Sequence, residues 1–170
     1  MTQIELLHCY LSPGHNYVGH HGGPAGVHPI WEMGSLECVA GRGVKGDRYF
    51  DHKENYKGQV TFFAIEEYEA LCRQTGVNKP PYAFRRNIIT RGVDLNSLIG
   101  CEFEIQGVRF HGVESCKPCY WMDEAFAPGT EAALRGRGGL RARILTSGTL
   151  QRTVAPVELR VRRVEELAAA

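Results

Sequence analysis

Short apolar runs cut by glycine dominate the chain, and most have the length and the branched or aromatic content of strands rather than helices. Residues 3–9 form the first such run. Residues 35–40 form a second, and the glycine-rich turn 41–47 follows it. Residues 59–65 (QVTFFAI) read as a fully buried strand. The period then changes. Residues 66–75 carry apolar side chains at Tyr68, Ala70, Leu71 and Cys72 with acids in the first turn, and Gly76 closes them as a helix. Residues 87–90 return to strand character. Residues 101–105 and 108–114 flank Gln106-Gly107 as a hairpin. Residues 122–134 split at Pro128-Gly129 into two short helices. Residues 141–146 and 149–154 flank Ser147-Gly148 as a second hairpin, and residues 158–164 make a closing strand. Many short strands with few helices predict a mainly β fold: one closed antiparallel β-barrel with small helical insertions. A doubly wound α/β fold is disfavoured, because strands do not alternate with helices of the usual length.

One stretch has neither period. Residues 12–31 (SPGHNYVGHHGGPAGVHPIW) form a loop rich in Gly, Pro and His. Loops this long are uncommon in a compact domain and are often functional. The composition is globular: 170 residues, 43% hydrophobic, net charge +1. That excludes broad disorder and fits a single domain. The near-neutral total gives no general reason to expect nucleic acid or a membrane. The N-terminus has no basic region ahead of its apolar run, and no stretch is long enough to span a bilayer, so a cytoplasmic location is expected. Thiols stay reduced there, so six cysteines read as packing groups, ligands or nucleophiles rather than disulfides.

Five constellations can carry chemistry. Cys116-Lys117-Pro118-Cys119 follows an apolar strand. A Cys-x-x-Cys pair is open to a redox pair, half of a zinc site, one exposed thiolate favoured by Lys117 and nearby arginines, or a buried turn. Gly46-Asp47-Arg48 offers a surface ion pair or a guanidinium fixed toward an anion. Arg85-Arg86-Asn87 stands before a strand, where a guanidinium fork can be held for phosphate or carboxylate. Between Arg135 and Arg163 there are eight arginines and one acid, Glu158. Arg137 and Arg141 in that stretch suit a small phosphorylated ligand, with RNA or protein binding as the rival. Finally, His15, His20 and His21 on the long loop can bind zinc or another divalent metal, donate hydrogen bonds or relay protons.

Taken in order, GVKGDR, QVTFFAIE, FRRNIITRGVDLNSLIG, CKPCYWMD and GRGGLRARIL resemble the MOSC domain, the module named from the C-terminal part of molybdenum cofactor sulfurases. The likeness spans about residues 37–164 and implies one MOSC domain over 1–170 with the β-barrel of that family. It implies a sulfur carrier or sulfurtransferase, or a binder of molybdenum cofactor. The thiol matching the family's loop cysteine is Cys119, and Cys116 is an additional thiol able to resolve a Cys119 persulfide as a disulfide. Lys117 would assist it, and Asp47, Arg48, Arg85, Arg86 and Asn87 fall on the family's ligand-binding positions. The partners implied are a small anionic or sulfur-containing ligand and a cysteine desulfurase or molybdoenzyme. The pyridoxal-phosphate desulfurase domain of the large sulfurases and the extra N-terminal barrel of amidoxime reductases have no counterpart here. The His-rich loop also departs from the family pattern. It leaves a molybdenum-independent carbon–sulfur lyase as the second expectation.

Overall fold

The computed structural model describes residues 2–18 and 23–163. Eleven strands occur in chain order: β1 (Thr2–Leu11), β2 (Trp31–Met33), β3 (Ser35–Val39), β4 (Gly43–Val44), β5 (Val60–Ala64), β6 (Ile88–Arg91), β7 (Cys101–Ile105), β8 (Val108–Ser115), β9 (Leu140–Ile144), β10 (Gly148–Gln151) and β11 (Thr153–Arg163). Helix α1 (Ile65–Thr75) links β5 to β6, and α2 (Trp121–Ala125) and α3 (Thr130–Ala133) lie between β8 and β9.

The main sheet runs β11-β7-β8-β9-β5-β6-β1, and β1 pairs back onto β11, closing a seven-stranded barrel. The seam joins Thr2 to Leu159 and Ile4 to Val157. β2 is an outer flap on β1. A small sheet, β10-β3-β4, stands beside the barrel. Among the described residues no helix is long and apolar enough to cross a membrane.

Two features differ from the sequence expectation. The β5–β6 pair is parallel, because α1 carries the chain back over the sheet between them. The hairpin at Ser147-Gly148 does not form: β9 pairs with β8 and β5, whereas β10 pairs with β3. Ser147 instead caps the other sheet, its hydroxyl accepting from the Ala40 amide at 2.9 Å. The turn after β3 also holds a short strand, since Val44 pairs with Cys38.

Side chains of consecutive residues point to opposite faces of a strand. Leu6, Phe62 and Ile88 therefore fill the barrel, among Phe103, Phe110 and Ile105. Their successors Leu7, Phe63 and Ile89 pack outside, against Leu71, Phe84, Met122, Phe126 and Leu134. β1, β5 and β6 are covered on both faces, which explains why QVTFFAI shows no polar alternation. Inside, the Phe62, Phe103 and Phe110 rings meet with centroids 5.3–5.7 Å apart. The outer cluster fixes α1 and α2 on the wall, and α2 follows directly on the Cys-x-x-Cys segment.

Candidate active site

The segment from Cys116 to Cys119 leaves the end of β8 with no regular structure of its own. It is docked by a close approach. The Cys116 amide donates to the Gly139 carbonyl at 2.7 Å. A Cβ on Gly138 would stand 2.2 Å from the Cys116 carbonyl oxygen, so only glycine fits there. The docking leaves the two thiols in different surroundings. Cys116 is buried, and Cys119 is the one exposed thiol of the six, none of which is bonded in a disulfide.

Cys119 lines a cavity of about 180 Å³ together with Arg48, Arg85, Arg86, Lys117 and Arg141. His15 and Tyr17 from the long loop, Tyr49, Trp121 and Met122 complete the wall. Five cationic side chains thus share one cavity with one thiol, and no carboxylate lines it.

The arginines are held from behind. Asp47, whose side chain is 1% exposed, accepts from the Ser12 amide at 3.3 Å, the Tyr49 amide at 3.2 Å and Arg48 Nη1 at 3.3 Å. Arg48 Nη2 donates to the Arg85 carbonyl at 3.0 Å. Arg85 has a left-handed backbone, φ 55°, at the end of the 3-10 turn Pro81–Phe84, a conformation costly for a residue with a Cβ. That turn aims its guanidinium inward, where Nη2 donates to Ser12 Oγ at 2.7 Å and to the Gly14 carbonyl at 2.6 Å. Burial, and then the Arg48 charge, push the Arg85 pKa down to about 10, so it is still cationic near neutral pH. Arg86 Nε donates to the Gly138 carbonyl at 3.1 Å, tying this cluster to the turn that docks the thiol segment. Arg141 pairs with Glu114 at 3.0 Å. Although burial opposes it, the nearby Cys116, Tyr56 and Glu114 raise the Arg141 pKa.

His15 meets the Tyr49 ring at 5.0 Å and His52 at 6.3 Å. Burial and the Arg48 charge hold its pKa below the usual 6.5, so it is neutral at pH 7. His20 and His21 lie outside the described residues. Among the described residues no group of three or more His, Cys, Asp or Glu side chains could hold a metal ion.

Two residues expected at the ligand stand elsewhere. Asn87 is spent on the fold: its Oδ1 accepts from the Thr61 amide and hydroxyl, each at 3.0 Å, and Nδ2 donates to the Tyr10 carbonyl at 3.3 Å. Arg137 pairs with Glu67 at 3.2 Å and lines a different cavity with Asp94 and Asn96. The arginine-rich C-terminal stretch is largely matched by acids, with Arg152 on Glu32 and Arg160 on Glu104 and Glu158. Sequence reasoning passed over Tyr17, Tyr49 and Trp121 as site residues. Tyr49 directly follows Asp47-Arg48, and Trp121 follows the Cys-x-x-Cys segment by one residue, which is the signal that was available.

The YuaD protein of Bacillus subtilis is similar in fold at a TM-score of 0.75 and 17% identity, with 94% of this chain and 96% of that one covered. YiiM of Geobacillus stearothermophilus matches at TM-score 0.64 and 12% identity, covering 94% of this chain and 75% of that one. YiiM of Escherichia coli matches at 0.60 and 20%, covering 93% and 75%. No curated protein sequence matches. A family profile, described as the MOSC domain, matches residues 19–158, which take in the barrel, Asp47-Arg48, Arg85-Arg86 and Cys119. With most of its length matched in this way, the chain belongs to the MOSC domain family.

Proposed function

We propose that this protein is a sulfur carrier in which Cys119 takes up sulfur as a persulfide while the surrounding cations hold a small anionic ligand. The observation that carries this reading is the placement of the one exposed thiol on a wall shared with Arg48, Arg85, Arg86, Lys117 and Arg141. Positive charge close to a thiol favours the thiolate, which is the nucleophile. The Cys119 thiolate attacks the outer sulfur of a persulfide on a cysteine desulfurase. A sulfur–sulfur bond forms on Cys119, the donor's bond breaks, and the donor leaves as its own thiolate. An acceptor nucleophile then removes the outer sulfur and restores the Cys119 thiolate.

The family also implies a molybdenum cofactor, and the cavity's donor set fits its anionic part. Cys119 would be a soft thiolate ligand for the metal, and Arg48, Arg85 and Arg86 would hold its phosphate. When bound, that group supplies two-electron redox chemistry. The enclosed volume of about 180 Å³ lies below the roughly 300–1,000 Å³ of sites that swallow a drug-sized ligand. The cavity therefore encloses an anionic head group and leaves the rest of a larger ligand outside.

The test is incubation with a cysteine desulfurase and cysteine, followed by mass spectrometry of the Cys119 peptide. One added sulfur atom is expected in the wild type and none in Cys119→Ser, with Cys72→Ser as the control that still loads. Normal loading of Cys119→Ser refutes the assignment.

A second reading, carbon–sulfur bond cleavage without molybdenum, is favoured by one observation. His15 is neutral and lines the same cavity, as a general base must. Elemental analysis of the purified protein, together with thiol release from a cysteine S-conjugate by the wild type and by His15→Gln, separates the two. Thiol release from His15→Gln at the wild-type rate refutes this second reading.

A further inference from the structure

Two buried donors end without partners at the wall of the thiol cavity. Arg85 is 8% exposed and Trp121 is 5% exposed. Among the described residues neither Arg85 Nη1 nor Trp121 Nε1 has a hydrogen-bond partner, and both residues line the cavity that holds Cys119. The remainder of each side chain is committed. Arg85 Nη2 is bound to Ser12 and Gly14. The Trp121 ring stacks on Tyr120 at 4.8 Å and meets Tyr17 at 5.2 Å. A buried donor left unmet costs about 1–3 kcal/mol, and more when it is charged. Guanidinium and indole both donate and neither accepts. Two such donors at one cavity call for a group that only accepts.

We propose that Arg85 Nη1 and Trp121 Nε1 form an oxyanion subsite, which takes a ligand group carrying two acceptor oxygens on one atom, as in a phosphate, a sulfur oxyanion or a carboxylate. This rests on, and deepens, the reading of the cavity as the place where Cys119 meets an anionic ligand. The subsite fixes the ligand's oxygen-bearing end and Cys119 supplies the thiol. Tyr17 forms the intervening wall, with its ring 5.9 Å from the Arg85 guanidinium and 5.2 Å from the Trp121 ring. Arg85 is held by Asp47 and Arg48 through its own backbone carbonyl, so the charged arm is fixed before any ligand arrives.

The chain has two tryptophans, which makes the indole N–H a direct reporter. Trp31, on the outer flap and 47% exposed, is the internal control. The full-length protein is titrated with phosphate, sulfate and acetate while its two indole N–H signals are followed by NMR. At least one anion is expected to move the Trp121 signal saturably and leave that of Trp31 in place. Which anion does so identifies the group. Trp121→Phe keeps a ring and removes the donor, and it is expected to weaken that anion's affinity about 10–100-fold by calorimetry. If no anion moves the Trp121 signal, or Trp121→Phe binds as tightly as the wild type, the subsite is refuted. The wild-type titration needs no variant to fold. Cys119→Ser separates the two claims: it is expected to bind the anion normally while failing to load sulfur. Anion binding without persulfide formation in the wild type refutes the sulfur-carrier reading alone. Persulfide formation without anion binding refutes the subsite alone.

Discussion

Replacing Gly138 with alanine tests whether the close approach at this residue is what docks the thiol segment. The added Cβ would lie 2.2 Å from the Cys116 carbonyl oxygen, whereas ordinary contact begins at 3.4 Å. The neighbour is backbone, so no side chain can swing away. Cys116 is tied to Gly139 by a 2.7 Å hydrogen bond, and Gly138 is tied to Arg86 by one of 3.1 Å. Relief requires these two segments to part. Overpacking of this kind costs about 1–3 kcal/mol, and opening one backbone hydrogen bond adds about 1 kcal/mol. The expected loss is about 2–4 kcal/mol, or about 4–16 °C in melting temperature for a chain of this size. Differential scanning calorimetry reads it. Gly34→Ala is the control, because nothing lies within 4 Å of a Cβ there and its backbone is not left-handed. A second readout is the alkylation rate of Cys119, which should change in Gly138→Ala and not in Gly34→Ala. If both variants melt together, the close approach is not a constraint and the argument for how the segment is held fails.

Three further outcomes are expected. Under native, mildly alkaline conditions iodoacetamide should label Cys119 first, because burial pushes Cys9 up to about 11 and Cys38 up to about 12; peptide mass spectrometry showing Cys9 or Cys38 labelled as fast would contradict the burial described. Asp47→Ala should cost about 3–5 kcal/mol in denaturant unfolding, since it strands Arg48 and two backbone amides around a buried pair, and a loss below about 1 kcal/mol would mark that pair as no better than a surface one. His15 has a lowered pKa in the fold, through burial and then Arg48, so the unfolded chain binds the proton more readily. Its contribution is intact above the unfolded value of 6.5 and is lost as pH falls below it. Unfolding midpoints across that range should therefore decline less steeply in His15→Gln, and an unchanged slope would count against it.

The strands were legible wherever one face or both are buried. Leu6-Leu7, Phe62-Phe63 and Ile88-Ile89 announce themselves as pairs, one side chain for the barrel and one for the outer cluster. Pairing partners were not legible. Ser147-Gly148 has the chemistry of a tight turn, yet β10 finds β3, because a strand's pattern encodes which face is apolar and not which edge it meets. The parallel β5–β6 contact escaped for the same reason. In the site, Cys119 and the arginine doublet could be read from residue type. Asn87 could not be told from a ligand residue, because its partners Thr61 and Tyr10 come from other strands. Trp121 and Tyr17 look like core and loop residues until the fold brings them to either side of Arg85.

The seam between β1 and β11 bears on how the chain is made. Every residue around the thiol cavity, from His15 to Arg141, is translated before the strand that begins at Thr153. A nascent chain at that stage holds all the site residues on an open sheet whose β1 and β7 edges await the missing partner. Bare strand edges invite pairing with other chains, and contacts between distant parts of a chain form slowly. Maturation is therefore limited by the final strand, which brings no side chain to the cavity.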